Sequence, residues 1–362
     1  VLTLEQVEPS AAPPVESFQD GTVFQTDEWL DFIEETQSAE RVIALVRDGS
    51  AVVGRFTGLI FKRLGARLLG SPFPGWTTAY MGFNLNPEVP RVEALAALGV
   101  FAFKDLGCLH YEVMDRGITV EQADRLGYRY RLFNGFQVDL SRSEDELFGA
   151  MHRKIRPEIR KAERAGVTIE ETADDSFAQE HYAQLTEVFR RQGLKPTYDT
   201  ARVPSLIRHM LPTGRLVLLR AVEAEGFCAS TLLVLGFNGR AYIWGGSSQR
   251  NLNVPHRNEA LIWHAMRYWK TRGMTVFDMG GGGEYKRRYG GQQIFIPWIR
   301  RSRYGWLELA REGARKSYAL QQSIRGRMPR TTVRPEREMR QLIIRSGACQ
   351  ADDRTWWNVR SL

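Results

Sequence analysis

Phe277-Asp278-Met279-Gly280-Gly281-Gly282-Gly283-Glu284-Tyr285-Lys286-Arg287-Arg288-Tyr289-Gly290-Gly291 joins a buried-strand pattern directly to a loop rich in glycine and positive charge. Glycines let the main chain adopt positive φ and approach a ligand without a Cβ in the way. Successive amide donors in turn conformation form a concavity suited to an anion. Lys286 is the charge placed to serve such a site, and Asp278, Glu284 and Tyr285 are the polar groups nearest to it. The bland reading is a surface loop whose glycines make only turns, with Asp278 capping it.

Upstream, the strand Met274–Met279 follows a helix expected from Arg257 to Arg272. Leu261, Ile262, Ala265, Met266 and Trp269 recur there at helical spacing, and Gly273 stands at the C-terminal stop. Before that helix, Leu216–Val222 and Cys228–Leu235 read as strands, and Asn238-Gly239 turns the chain into Arg240–Trp244. The first half runs in the same order. Arg41–Arg47 and Ala51–Arg63 are strands about the turn signal Asp48-Gly49, followed by a helix from Glu88 to Leu106 and a strand from Leu109 to Met114. The parallel between the halves is a weak sign of duplication. The expected class is α/β (α+β), two tandem domains, each a mixed sheet flanked by helices.

With 362 residues and 43% hydrophobic content, the chain exceeds what one hydrophobic core usually supports. The expected division is a flexible lead-in over 1–17, an N-terminal domain over 18–140, a C-terminal domain over 141–325 and a basic, proline-punctuated tail over 326–362. In that tail, 336–345 is a short helical candidate. The formal charge of +8 is compatible with a polyanionic partner such as RNA, a nucleotide-bearing co-substrate or an acidic lipid surface, and equally with simple solubility. Cys108, Cys228 and Cys349 are three, widely separated and without ligand spacing, so they read as reduced and no metal is expected. No apolar run reaches membrane-spanning length and Val1–Glu16 is unlike a signal peptide, which leads to an expected cytoplasmic location.

Two further constellations matter. Ser143-Glu144-Asp145-Glu146 fits a capping box opening a helix that carries 151–156, and Pro157 starts a second helix that Gly166 ends. His152, Arg153, Lys154, Arg156, Arg160, Lys161 and Arg164 bracket that second start, interrupted by few acids. A helix N-terminus lined with cations suits phosphate, although a solvated helix face has the same composition. In the first half, Trp76 and Tyr80 lie in a loop dense in proline, glycine and aromatics (70–82). They are candidates to shape a cleft between the domains, or to pack that loop onto its own core.

The six histidines are scattered, and neither an HExxH pattern nor a GxSxG elbow is present. Catalysis would rest on positioning and electrostatics.

Lys154-x-Arg156-x-x-x-Arg160-Lys161-Ala162-x-x-x-Gly166-Val167, then Tyr242-x-Trp244-Gly245-Gly246, Pro255, Phe277-Asp278-Met279-Gly280-Gly281 and Tyr285-Lys286-x-x-Tyr289-Gly290-Gly291, resemble the Fem-type branch of the GNAT acyltransferase superfamily. The likeness covers about Ser141 to Arg300; the first half is similar to the family's N-terminal GNAT-like domain in order of elements. The resemblance implies two tandem GNAT-like domains, the second catalytic. The implied reaction is direct attack of an amine on the carbonyl of an acyl-CoA thioester or an aminoacyl-tRNA ester, with no covalent enzyme intermediate and no bound cofactor.

It assigns donor activation to Lys286, with Tyr285 beside it; Asp278, at the strand end, is a candidate base on the reading of the residues alone. From the residues, donor-phosphate binding is expected of Lys154, Arg156, Arg160 and Lys161 and cleft contacts of Trp76 and Tyr80; the matched motifs add Gly280, Gly281, Arg287, Tyr289 and Gly290 on the donor side and Trp244 on the substrate side. A long coiled-coil arm, frequent in the peptidoglycan enzymes, is missing between Gly166 and Trp244, and so is the Q/R-x-x-G-x-G/A pyrophosphate loop of ordinary GNAT enzymes. Both donors therefore stay open. The rival expectation is a non-catalytic RNA- or anionic-surface-binding protein on the same fold.

Overall fold

The computed structural model describes residues 1–63, 65–223, 226–249 and 257–308. Its described strands form one sheet. The edge strand β1 (Leu2–Val7) pairs antiparallel with β2 (Glu40–Asp48), which continues into β3 (Ala51–Arg63) and β4 (Ala66–Ser71). A short β5 (Gly82–Leu85) adds to β3, and β6 (His110–Met114) lies parallel to β4. The long β7 (Arg129–Asp139) follows, then β8 (Thr168–Thr172), β9 (Leu216–Val222), β10 (Cys228–Phe237), β11 (Arg240–Ser248), β12 (Val276–Gly281) and β13 (Gln292–Ser302).

The order from one edge is β1-β2-β3-β4-β6-β13-β7 and from the other β8-β9-β10-β11-β12-β7-β13. Along this order each half contributes five strands of its own, with β5 standing off it on β3, and reaches the same central pair from the opposite side. β7 belongs by sequence to the first half and β13 to the second, and they pair antiparallel over nine residues, Arg129↔Arg300 to Gln137↔Gln292. The sheet thus crosses the expected boundary at 140/141 without a break.

Helices repeat the same symmetry. α1 (Asp27–Gln37) joins β1 to β2, and α2 (Arg91–Val100), extended by a wider turn over Phe101–Asp105, crosses from β4 to β6. α3 (Val120–Arg125) precedes β7; α4 (Glu144–Ala150) and α5 (Ile155–Arg164) lead to β8. α6 (Ser176–Gln192) and α7 (Arg202–Met210) join β8 to β9, and α8 (Arg257–Thr271) crosses from β11 to β12. Both crossovers end in parallel pairing, which needs a long connection of this kind.

Several local expectations hold. The Ser143 capping box forms, with Glu146 N donating to Ser143 Oγ and Ser143 N to Glu146 Oε2. Asn238 and Gly239 both take positive φ in the two-residue turn between β10 and β11, as that tight hairpin needs.

Others are corrected. Residues 1–17 are not a flexible lead-in: Leu2 and Leu4 alternate into the core while β2 supplies a ladder partner for every residue of β1. The first hairpin turns at Gly49-Ser50, one residue later than the Asp-Gly signal, because Asp48 already pairs with Ala51. α4 ends at Ala150, so 151–154 form a turn, and α5 starts at Ile155, two residues before Pro157, which its first turn accommodates. Pro255, Cys349 and the tail over 326–362 lie outside the described residues.

Three cores stabilise this arrangement. One sits under β1–β4 and α2, a second under β7, β9–β12, α5 and α8. The third lies between the halves, where Trp29, Leu30, Phe32 and Ile33 of α1 meet Val203, Leu206 and Met210 of α7. Each such side chain, fully buried, contributes about 1.5–3 kcal/mol. This third core holds the loop 72–81 of the first half against β11 of the second.

Candidate functional site

β11 and β12 run parallel over Arg240–Tyr242 and Val276–Asp278, then part: β11 continues to Ser248 alongside β10, whereas β12 turns away through its glycines. Two irregularities open the gap. In β11, Ile243 pairs with Val234 and Gly245 with Leu233, so Trp244 is the extra residue of a bulge. A bulge bends its strand and re-aims a side chain. In β12 the register against β7 shifts between Asp278 and Gly281, with Gly280 at φ +70°.

A cavity of about 200 Å³ occupies this gap. Asp278, Gly280, Gly281, Tyr242 and Trp244 line it from the second half, and Phe24, Thr78 and Tyr80 from the first. The central pair closes it with Arg131, Phe133 and Trp298. Gly281 is required by closeness: a Cβ there would stand 2.6 Å from the Phe133 ring.

Asp278 is buried, and both its oxygens are engaged. Oδ1 accepts from Gly280 N at 2.8 Å; Oδ2 accepts from Gln137 Nε2 at 2.8 Å and faces Arg116 Nη1 at 3.6 Å. The Arg116 guanidinium also lies 4.8 Å from the centre of the Tyr80 ring. Burial, reinforced by the Asp278 charge, pushes the Tyr80 phenol well above its ordinary pKa, so it stays protonated. Burial likewise lifts Tyr242 to about 12 against the opposing charges of Arg116 and Arg240. Tyr80 holds its place at φ +47°, a left-handed conformation rare for a bulky side chain and typical of constrained sites.

Lys286 sits in the 3-10 turn Glu284–Tyr289, immediately behind the cavity wall. Its Nζ donates to Met279 O at 2.6 Å and Gly281 O at 2.7 Å, tying the turn to the glycine run. Burial lowers its pKa to about 8, with the Asp278 charge opposing that shift. The ammonium therefore faces backbone carbonyls, and Lys286 is not among the residues that line the cavity.

The remaining predicted residues divide into groups. Tyr80, Trp244, Asp278, Gly280 and Gly281 share the cavity. Trp76 does not: its ring packs on Phe61 and Phe73 at 5.9 and 4.8 Å, the alternative in which the loop packs on itself. Tyr289 is buried in the second core, and Tyr285 is exposed.

Lys154, Arg156, Arg160, Lys161, Arg287 and Gly290 are not among the residues that line the cavity; the turn before α5 instead meets the segment 288–290. There His152 N donates to Arg288 O at 2.8 Å, and a Cβ on Gly290 would approach Ala150 at 3.5 Å. Arg160 stacks on Phe148, Lys161 pairs with Glu158, and Arg287 reaches Glu284 and Gln293.

Sequence reading missed Arg116, Gln137, Phe133 and Trp298. Arg116 follows a strand by two residues with no motif around it, and β7 and β13 meet only through long-range pairing. Tyr242 stands inside a recognised motif, but its role depends on the gap that opens beside it. Among the described residues no cluster of His, Cys, Asp or Glu has metal-binding geometry, and no helix is long and apolar enough to cross a membrane.

Comparisons with known proteins agree with this architecture. Residues 149–289 match the acetyltransferase (GNAT) domain family. The structure of FemX superposes with a TM-score of 0.62 at 15% identity, covering 79% of this chain and 94% of that one. A conserved protein of unknown function from Bacteroides thetaiotaomicron superposes with a TM-score of 0.56 at 9% identity, covering 84% and 100%. A search of curated proteins finds no match. Residues 149–289 are thus similar to an acetyltransferase (GNAT) domain, and the chain shares the fold of FemX, the Fem-type fold that its motifs resemble.

Proposed function

We propose that the protein transfers an acyl or aminoacyl group from an activated donor, an acyl-CoA or an aminoacyl-tRNA, to an acceptor amine, with the reacting carbonyl held in the gap between β11 and β12. The observation that carries this reading is the cavity at that parting, with a bulge on one strand and a glycine run on the other. The amine nitrogen bonds to the carbonyl carbon, the bond to sulfur or ribose oxygen breaks, and the proton shed by the amine is taken up by the leaving group. No covalent enzyme intermediate is invoked.

Catalysis then rests on holding two substrates together and on donors aimed at the developing oxyanion. The backbone amide of Trp244, which the bulge takes out of register with β10, and the protonated Tyr80 are the donors assigned to that role. Asp278 organises the site through Gly280, Gln137 and Arg116. Lys286 is assigned as a positioning residue that fixes the glycine run, in place of the direct donor contact implied by the family resemblance. Lys154, exposed, and Arg156, half-buried, at the start of α5 are assigned to donor phosphates by charge, next to His152, whose N–H donates to Arg288 O.

The test is an assay of the purified chain with acyl-CoA and with charged tRNA against a panel of amines, run with and without RNase. Turnover with either donor supports transfer, and loss under RNase identifies the tRNA route. Steeply salt-dependent RNA binding with no turnover for any donor supports the non-catalytic binding protein instead.

A further inference from the structure

The indole N–H groups of Trp244 and Trp298 are buried with no hydrogen-bond partner among the described residues, and the buried hydroxyls of Tyr80 and Tyr242 make no well-formed hydrogen bond, with Asp278 acting on the first and Arg116 on the second. These side chains are 1%, 3%, 8% and 7% exposed, and all four line the same cavity. Leaving a buried donor unpaired costs about 1–3 kcal/mol, and native proteins leave few. Four around one cavity indicate that the partners arrive with a ligand.

The donor types restrict what that ligand brings. An indole N–H can only donate, so the ligand must carry acceptors. The fixed charges restrict it further. Both Asp278 oxygens already have donors, which leaves no unengaged acid for an ammonium group. Arg116 faces that same carboxylate, and Arg131 stacks over the Trp298 ring at 4.4 Å. The rings of Phe24 and Phe133 add flat apolar wall.

We propose that the cavity recognises a compact, uncharged group with an aromatic or branched apolar body and at least one carbonyl oxygen, held by Tyr242, Trp244 and Trp298, while the single Tyr80 proton serves the reacting carbonyl beside it. It deepens, and rests on, the acyl-transfer reading in making this group the part of the substrate next to the reacting carbonyl. The group is selected by hydrogen bonds and shape and not by net charge.

The test is calorimetric binding without any donor, so that absence of turnover cannot be confused with absence of recognition. The probes share one aromatic body: N-acetylphenylalaninamide is neutral with two carbonyls, phenethylammonium is cationic, and phenylacetate is anionic. The neutral amide is expected to bind most tightly, and Tyr242→Phe and Trp298→Phe each to weaken it by roughly fivefold. Near-UV circular dichroism establishes that each variant keeps its packing; Trp244→Phe is the replacement for any that does not. Tighter binding of either charged probe, unchanged affinity in every folded variant, or no binding of any probe would each overturn the proposal, the last by showing that water alone satisfies these donors.

Discussion

Lys286 Nζ donates to the carbonyl oxygen of Met279 at 2.6 Å, so the most conspicuous cation of the motif serves the backbone of the strand beside it. With Gly281 O as its second acceptor, it staples the glycine run in the shape that bounds the cavity. Lys286→Ala is expected to lower turnover at least tenfold while the neutral-pH unfolding free energy changes by only about 1–2 kcal/mol, since relief of charge burial offsets lost hydrogen bonds. Parallel loss of folding and activity in chemical denaturation and kinetics would count against this role.

The same burial gives a pH signature. In the folded chain Lys286 titrates near 8, below the ordinary lysine value of 10.5. Between those values the unfolded chain binds more protons than the folded one, so stability rises with pH across that window. Urea unfolding at pH 7.5 and pH 10 should show this rise in the natural chain and a smaller one in Lys286→Met. An identical rise in both locates the proton elsewhere.

His181 supplies a second signature at acid pH. It lies fully buried between Tyr198 Oη and Thr231 Oγ1, each at 2.9 Å, and burial lowers its pKa to about 4. Above its unfolded value of 6.5 this costs nothing. As pH falls from there towards 4, the unfolded chain gains a proton that the folded one refuses, and stability declines by up to about 3 kcal/mol. His181→Gln, compared at pH 7 and pH 4.5, should lose less on acidification even if it starts from a lower value. Tyr198 packs on Trp244 at 5.4 Å, so the variant should also raise KM for whichever substrate the cavity holds.

Gly281→Ala tests the wall of the cavity. The added methyl meets the Phe133 ring at 2.6 Å and must drive it towards the cavity. Overpacking of this kind costs about 1–3 kcal/mol, and kcat/KM is expected to fall further than stability does. A companion Phe133→Leu change should restore part of the activity. Failure of rescue, with the melting temperature recovered, would mean that Gly281 acts through its backbone instead.

Tyr80→Phe separates stability from function. The buried hydroxyl makes no well-formed hydrogen bond and interacts with the Asp278 charge, so its removal should change the stability of the resting protein by no more than about 1–2 kcal/mol. Turnover is expected to drop at least tenfold if the phenol faces the oxyanion. A thermal melt paired with kinetics checks both halves of that expectation. A variant that is destabilised and fully active would sink the assignment.

Much of this molecule is legible in the order of its residues. Helical spacing locates α8 with its Gly273 stop, Ser143 and Glu146 announce a capping box, and Asn238-Gly239 marks a hairpin, because each depends on residues within a few positions of one another. The glycine-rich stretch after Asp278 also announces itself, since only glycine takes φ +70° readily at 280 and tolerates Phe133 at 281. These local signals are enough for the fold class and for five residues of the cavity.

Local conformational preference thus accounts for the set of elements, their repeated order and the strand-to-glycine junction, and the amino-acid sequence displays all three directly. Long-range packing was needed to establish that β7 and β13 pair with each other at the centre of one sheet, that Leu2–Val7 closes its edge, and that Lys286 faces carbonyls rather than the cavity. It also brings Tyr80, from one half, to Tyr242 and Asp278 from the other. The central strand pair and the meeting of Tyr80 with Tyr242 and Asp278 are set by contacts between residues more than a hundred positions apart, and no local pattern encodes which partner fills a given space.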